Sequence, residues 1–298
     1  MNWLNQMNYV MDYIEKNLES EIDMNVVAEL SCYSVTTFQR MFSIICDISL
    51  SEYIRRRRLT LAAFELQNSN IKIVDLAAKY QYESPEAFTR AFHTLHGVSP
   101  SIARNIGTPL KAYPRISFHL TLTGGTPMNY RIEQKEGFTI YGIERMICTL
   151  NDANWKEVPE FWGEIVSNGE YDKLLQSTSL PIPKEGLNLL NAIDCYRTID
   201  ENTIPYMVFA FKTEQSNMDG YTIVDVPAAT WAIFKSELHT IEETSNAISS
   251  LIKQIYVDWL PTANYTKVEN YEFELTYKCK DRYYSEIWIR VTPNKEEV

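Results

Sequence analysis

Apolar residues in the first third of the chain recur at helical spacing, and one short pattern is written twice, fifty residues apart: Phe38-Gln39-Arg40-Met41-Phe42 and Phe88-Thr89-Arg90-Ala91-Phe92. Phe38, Met41, Phe42 and Ile45 fall at i, i+3, i+4 and i+7, as do Phe88, Ala91, Phe92 and Leu95, so each set forms one buried helical stripe. Thr36, Gln39 and Arg40 then point away from the first stripe, and Glu86 and Arg90 away from the second. Ser34 and Ser84 read as N-caps, and Pro85 suits a first helical turn. Shorter amphipathic segments, 26–30 and 74–78, precede each copy, which predicts helix, tight turn, helix, twice. Residues 50–67 contain neither Gly nor Pro and predict a connecting helix roughly 27 Å long.

Beyond residue 127 the period changes to two. Segments 130–132, 138–140, 206–211, 221–226, 230–234, 271–277 and 286–291 read as strands, while 158–168 and 241–259 stay helical. An echo at an offset of 91 pairs Tyr130, Ile132 and Thr139 with Tyr221, Ile223 and Thr230. Two strand-helix-strand-strand units forming one antiparallel sheet fit this order. Between the two periods Gly107, Pro109, Pro114, Gly124, Gly125 and Pro127 punctuate the chain. The expected organisation is therefore an all-α double helix-turn-helix domain over 1–106, a linker over 107–127 and an α+β domain over 128–298.

A helix-turn-helix sets its second helix in the DNA major groove, where Arg and Gln can bond bidentately to guanine and adenine. The middle helix is long enough to serve successive grooves, about 34 Å apart. Charge alone does not announce a nucleic-acid binder: the net charge is -11. Residues 1–111 hold 11 basic and 12 acidic residues and the remainder 17 and 27, so the acidity belongs to the second half. In the first half the basic residues concentrate on particular helices. Arg55, Arg56, Arg57 and Arg58 lie on the middle helix, with Arg55 and Arg57 as candidate phosphate contacts. A solvated face is the alternative reading of such a run.

Five scattered cysteines without a C-x-x-C pair suggest reduced thiols in a cytoplasm. His93 and His96 share a helix, but no Cys or carboxylate pattern completes a metal site, so neither metal nor cofactor is expected. No signal-peptide pattern and no run of about 18 apolar residues appears, so no membrane partner is expected.

Residues 8–104 resemble the DNA-binding domain of AraC/XylS-type transcription regulators. The likeness rests on Ser31-Cys32-Tyr33-Ser34 with the first repeat, Tyr53-Ile54-Arg55-Arg56-Arg57-Arg58-Leu59, residues 84–92, and Gly97-Val98-Ser99-Pro100 before Arg104. The resemblance implies that bases are read by Thr36, Gln39 and Arg40 in one helix and by Pro85, Glu86 and Arg90 in the other. Cys32, Asp47 and Gln81 stand where that family usually has glycine, so these turns are expected to bend differently. Pro85 has no donor and Glu86 repels phosphate, so the second helix is expected to read less sequence than the first.

Residues 128–292 resemble the GyrI-like effector-binding domain. The matching pieces are Val158-Pro159-Glu160-Phe161-Trp162, the run from Val226 through Phe234, Trp259-Leu260-Pro261, Phe273-Glu274-Leu275 and Glu286-Ile287-Trp288-Ile289. In that family a glutamate on a late strand sits in an aromatic pocket and faces cationic, hydrophobic ligands, as cation–π attraction favours. The matching position is Glu274. Thr276 stands where the family commonly has tyrosine, so a register shift presenting Glu272 is the alternative. Trp162 is the leading aromatic candidate, followed by Tyr141 and Tyr206.

Together the resemblances imply a one-component transcription regulator, an activator by family likeness, with promoter DNA, RNA polymerase and a small hydrophobic or cationic effector as partners. Two other readings stay open: hydrolase activity with Glu274 as general base, and a ligand-free module for protein interaction or dimerisation.

Overall fold

The computed structural model describes residues 3–119, 127–149, 153–180, 190–197, 199–200 and 203–294. Contacts divide the chain into two units, residues 1–38 with 48–119 and residues 39–47 with 120–298. Of the expected linker, residues 120–126, including Gly124 and Gly125, lie outside the described residues.

Seven helices are described before residue 104: α1 (Trp3–Lys16), α2 (Met24–Ser31), α3 (Val35–Cys46), α4 (Leu50–Asn68), α5 (Ile73–Lys79), α6 (Pro85–His96) and α7 (Pro100–Ala103). Short polar side chains start most of them. Asp23 accepts from the Asn25 amide, Ser49 from Glu52, Ser84 from Ala87 and Ser99 from Ile102. Ser34 likewise accepts from the Thr37 amide at the head of α3. Cys32, Asp47 and Gln81 adopt φ of 57°, 55° and 64°. The turns therefore keep the left-handed bend that glycine would give, contrary to the sequence expectation. The departure from glycine is met by strain of roughly 1–2 kcal/mol per residue, less for Asp. In the second repeat Phe88, Phe92 and Leu95 pack with Leu59, Leu66, Leu76 and Tyr80 into one core.

The arginine run of α4 is held within its unit. Arg55 and Arg56 both bond Glu52, and Arg58 donates to the carbonyls of Leu18 and Ser20. Arg57 clamps Glu15 through Nε and Nη2, each at 2.9 Å, and gives Nη1 to the Tyr113 carbonyl at 2.5 Å. With side chains only 11% and 12% exposed, the Arg57–Glu15 pair braces α4 against α1, which departs from the phosphate role expected of Arg57.

In the second unit, β1 (Asn129–Lys135), β2 (Phe138–Cys148), β3 (Asn191–Asp194), β4 (Thr203–Phe211), β5 (Thr222–Val226), β6 (Ala229–Lys235), β7 (Tyr265–Cys279) and β8 (Arg282–Pro293) form one sheet in the order β1-β6-β8-β7-β3-β4-β2-β5. The assigned pairings are antiparallel. Helices α8 (Asn154–Ser167) and α9 (Glu170–Ser177) follow β2, and α10 (Thr244–Gln254), extended by a π-turn over Ile255–Trp259, follows β6. The two expected strand-helix-strand-strand units are β2-α8-β3-β4 and β6-α10-β7-β8. Each is preceded by an edge strand that pairs with the other unit, β1 on β6 and β5 on β2. The sequence reading missed β3 and α9.

Alternation along the strands separates two faces. One carries Phe209, Trp231, Phe273, Leu275 and Trp288; the other carries Tyr141, Ala192, Tyr206 and Val208 beneath Phe161 and Ile165 of α8 and Leu174 of α9. Gly142 sits where β2 is paired on both sides, and a Cβ there would clash with the Val208 carbonyl and stand 2.7 Å from the Phe209 Cα.

Gly142→Ala is expected to destabilise the protein by about 3 kcal/mol through backbone overpacking, measured by denaturant unfolding. Arg57→Ala is expected to cost about 3 kcal/mol by leaving Glu15 without its cation; a residue serving only DNA phosphate would leave the thermal midpoint unchanged.

Candidate functional site

Along β7 the apolar Phe273 and Leu275 turn to one face of the sheet, so Glu272 and Glu274 turn to the other. Register places Asp194 of β3 opposite Glu272, and Ala192 opposite Glu274. Three carboxylates thus share one patch on the helix-bearing face. Sequence reading found the two glutamates, and both lie on this face of the sheet. It missed Asp194 because a four-residue strand, Asn191–Asp194, leaves too short a pattern to detect.

Residues 39–47 belong to this unit, and Arg40 lies among the three acids. Its Nη1 reaches Glu272 at 2.6 Å and Asp194 at 3.2 Å. Its Nη2 reaches Asp194 at 2.9 Å and Glu274 at 3.1 Å. The guanidinium therefore straddles Asp194 with both amino groups, a planar fork on a planar acceptor. Gln39 accepts from the Thr149 hydroxyl at 3.3 Å, and Lys253 pairs with Asp47 at 2.7 Å.

A second cation pairs with Glu272. Lys267 Nζ lies 2.6 Å from Glu272 Oε1, which also accepts from the Tyr256 hydroxyl at 2.8 Å. Residues five apart on a regular strand face opposite ways. Here a register shift between Lys267 and Glu272, with Asn270 and Tyr271 at φ of 70° and 62°, turns the lysine back to the acid. No periodicity in the sequence signals that.

The acids differ in their electrostatics. Burial drives the Asp194 carboxyl upward, and Glu272 and Glu274 add to this, against the pull of Arg40. Glu274 is also raised, by burial first and Glu272 second, with Arg40 opposing. Burial would lift Glu272 as well, but Lys267 and Arg40 outweigh it and hold the group below the ordinary range. The patch thus contains one firmly ionised carboxylate and two that are short of positive charge.

Of the aromatic candidates, Tyr206 of β4 lies opposite Asp194, and its hydroxyl accepts from Trp162 Nε1 at 2.9 Å. Burial and then the Glu274 charge push its phenol well above the usual value, so it remains neutral. Trp162 and Tyr206 therefore border the acidic patch. Tyr141 does not: its register partner is Ala210, about 13 Å along β4 from Tyr206 at the usual strand rise, and its hydroxyl meets Ser177.

The expected base-reading positions divide. On α6, Glu86 and Arg90 are exposed and Pro85 is half-buried at the first turn. On α3, Thr36 is buried, Gln39 is half-buried and Arg40 is held by the acids. Among the described residues no cluster of three or more His, Cys, Asp or Glu groups is arranged to hold a metal.

Comparison with known proteins bears on both units. Residues 27–106 match a helix-turn-helix domain model, and residues 131–291 match the model of the integron-associated effector binding protein family. The HTH-type transcriptional activator AarP of Providencia stuartii is 40% identical over 95 residues, 32% of this chain and 70% of that protein. The right origin-binding protein of Escherichia coli K12 is 23% identical over 270 residues, 90% of this chain and 89% of its own. The solved structure of SAV2435 bound to tetraphenylphosphonium aligns at 15% identity with a TM-score of 0.43, covering 55% of this chain and 94% of that one. The chain belongs to the AraC-type helix-turn-helix regulators through its first half and to the integron-associated effector-binding family through its second: it is a DNA-binding transcription regulator with a C-terminal effector-binding domain.

Proposed function

We propose that the protein is a transcription activator whose second half senses an organic cation. The observation that carries this reading is the carboxylate trio of Asp194, Glu272 and Glu274, flanked by Trp162 and Tyr206, with a guanidinium already lodged among the acids. Buried carboxylates require a countercharge, and one supplied by a ligand would couple ligand binding to the shape of the unit. Activation is supported by the likeness to AarP, a transcriptional activator, and contact with RNA polymerase follows from an activator's task.

DNA reading is assigned to Thr36, Gln39 and Arg40 of α3 and to Glu86 and Arg90 of α6, with Pro85 setting the start of α6. Arg55, its side chain 36% exposed, is the better phosphate candidate on α4. A domain limit near residue 106 and a sensor beginning near 128 suit this division of labour. A cytoplasmic site suits the free cysteines, and no helix among the described residues is long and apolar enough to cross a membrane.

A binding role rather than catalysis is supported by the surroundings of the candidate base. Glu274 is engaged by Arg40, and the Ser285–His239 pair, 3.1 Å apart, places its serine where no solvent reaches.

Fluorescence anisotropy with promoter DNA from the protein's own genomic neighbourhood tests the regulator. Arg90→Ala is expected to weaken specific binding roughly tenfold, the value of one good base or phosphate contact, and affinity should fall steeply with salt. Binding without sequence preference would sink the promoter reading.

Calorimetric screening of aromatic cations tests the sensor. Glu274→Gln is expected to weaken binding by tenfold or more. Affinity is expected to decline as pH falls through the raised range of Asp194 and Glu274, since protonation removes the charge that holds the ligand. A pH-independent affinity that Glu274→Gln leaves intact would place the ligand elsewhere.

A further inference from the structure

The group among the three acids is not a ligand but a side chain of α3, and it comes from a position to which DNA reading is assigned. Arg40 spends both amino groups on Asp194, Glu272 and Glu274, and its side chain is only 13% exposed. A guanidinium so placed cannot also fork onto a guanine edge. The two uses of Arg40 exclude each other.

The site is also shaped for this kind of cation. Asp194 is straddled by two amino groups in one plane, with Glu272 and Glu274 each taking one of them from either side. A spherical or fully alkylated cation offers no such pair of donors. Nor can Lys267 take over, because its ammonium is fixed on Glu272 and Tyr256 stands beside it. When Arg40 leaves, Asp194 and Glu274 lose the cation closest to them.

We propose that Arg40 is a built-in stand-in for the effector: the Asp194–Glu272–Glu274 site takes a planar, hydrogen-bonding cation of the guanidinium or amidinium class, and that ligand displaces Arg40 and returns it to DNA reading. This rests on the cation-sensing reading above and adds to it the ligand class and the sign of the response. Ligand and operator then bind cooperatively, because each favours the state in which Arg40 has left the acids. Asp194 becomes a specificity-determining residue, since it alone receives both prongs of the fork.

The test uses the full chain with benzamidine as probe, titrated calorimetrically against wild type, Arg40→Ala, Arg40→Gln and Asp194→Asn, with thermal melts confirming that each is folded. Removing an internal competitor is expected to tighten benzamidine binding about tenfold in both Arg40 variants, and Asp194→Asn is expected to weaken it at least tenfold. Unchanged or weaker binding in both folded Arg40 variants would overturn the stand-in role, and it would do so even if Glu274-dependent binding of other cations upheld the sensor. A second measurement reads the coupling. Saturating benzamidine is expected to raise wild-type affinity for the promoter fragment about tenfold. Folded Asp194→Asn, with its weaker grip on Arg40, is expected to show most of that gain without ligand. Equal promoter affinities for wild type, liganded wild type and Asp194→Asn would overturn the proposal, while specific DNA binding itself would still stand.

Discussion

Three carboxylates on one face of two neighbouring strands are the constraint around which the second unit is arranged. Taking an ionised carboxylate out of water costs several kcal/mol unless a cation and hydrogen bonds replace the water. Two cations answer here. Lys267 is brought in by a bulge whose left-handed residues would be unfavourable on their own account, and Arg40 arrives from a helix made more than two hundred residues earlier. Arg40 touches all three acids, but two cations do not balance three carboxylates, and the shortfall shows as the raised protonation range of Asp194 and Glu274. Ion pairs of this kind add little net stability compared with apolar packing, but removal of one partner leaves a stranded charge. Such a patch is therefore poorly suited to holding a fold together and well suited to changing partners.

The surrounding sheet is built to hold that patch still. Its order reads the same from either end once β1 and β5, β2 and β6, β3 and β7, β4 and β8 are exchanged, which accounts for the echo at an offset of 91 between Tyr130 and Tyr221. The seam of this symmetry is the β3–β7 pairing, and the acids lie on it. Charged edge strands suit the periphery: β1 carries Arg131, Glu133 and Lys135, whose mutual pairs discourage further strand addition.

Much of this was legible in the sequence where a side-chain pattern repeats. The helical stripes of Phe38 and Phe88, the Ser84 cap and seven of the eight strands follow from spacing alone. Elements whose signal is short or non-periodic were not legible. Asn191–Asp194 is too brief to alternate, and α9 is a two-turn helix beside a segment rich in polar residues. Glu272 and Glu274 could be placed on one face by parity. Lys267 could not, because the bulge reverses parity between them. The turns at Cys32 and Gln81 misled in the opposite direction: the fold imposes its backbone there on residues that do not prefer it. Arg57 resembled its neighbours in sequence, and only the position of Glu15 distinguishes a brace from a surface charge.

The exchanged edge strands also set the order in which a growing chain can finish. The α5–α6 core is assembled mostly from segments near one another in sequence, and contacts of that kind close early. The sheet has to wait. β1 finds its partner β6 about a hundred residues later, β3 waits about eighty residues for β7, and β8 must then slip between β6 and β7. At roughly 5–20 residues per second of synthesis, the acidic seam is among the last features completed. A ribosome that stops short of β8 leaves β6 and β7 each with an open edge, and with them a nascent sensor prone to pairing with other chains.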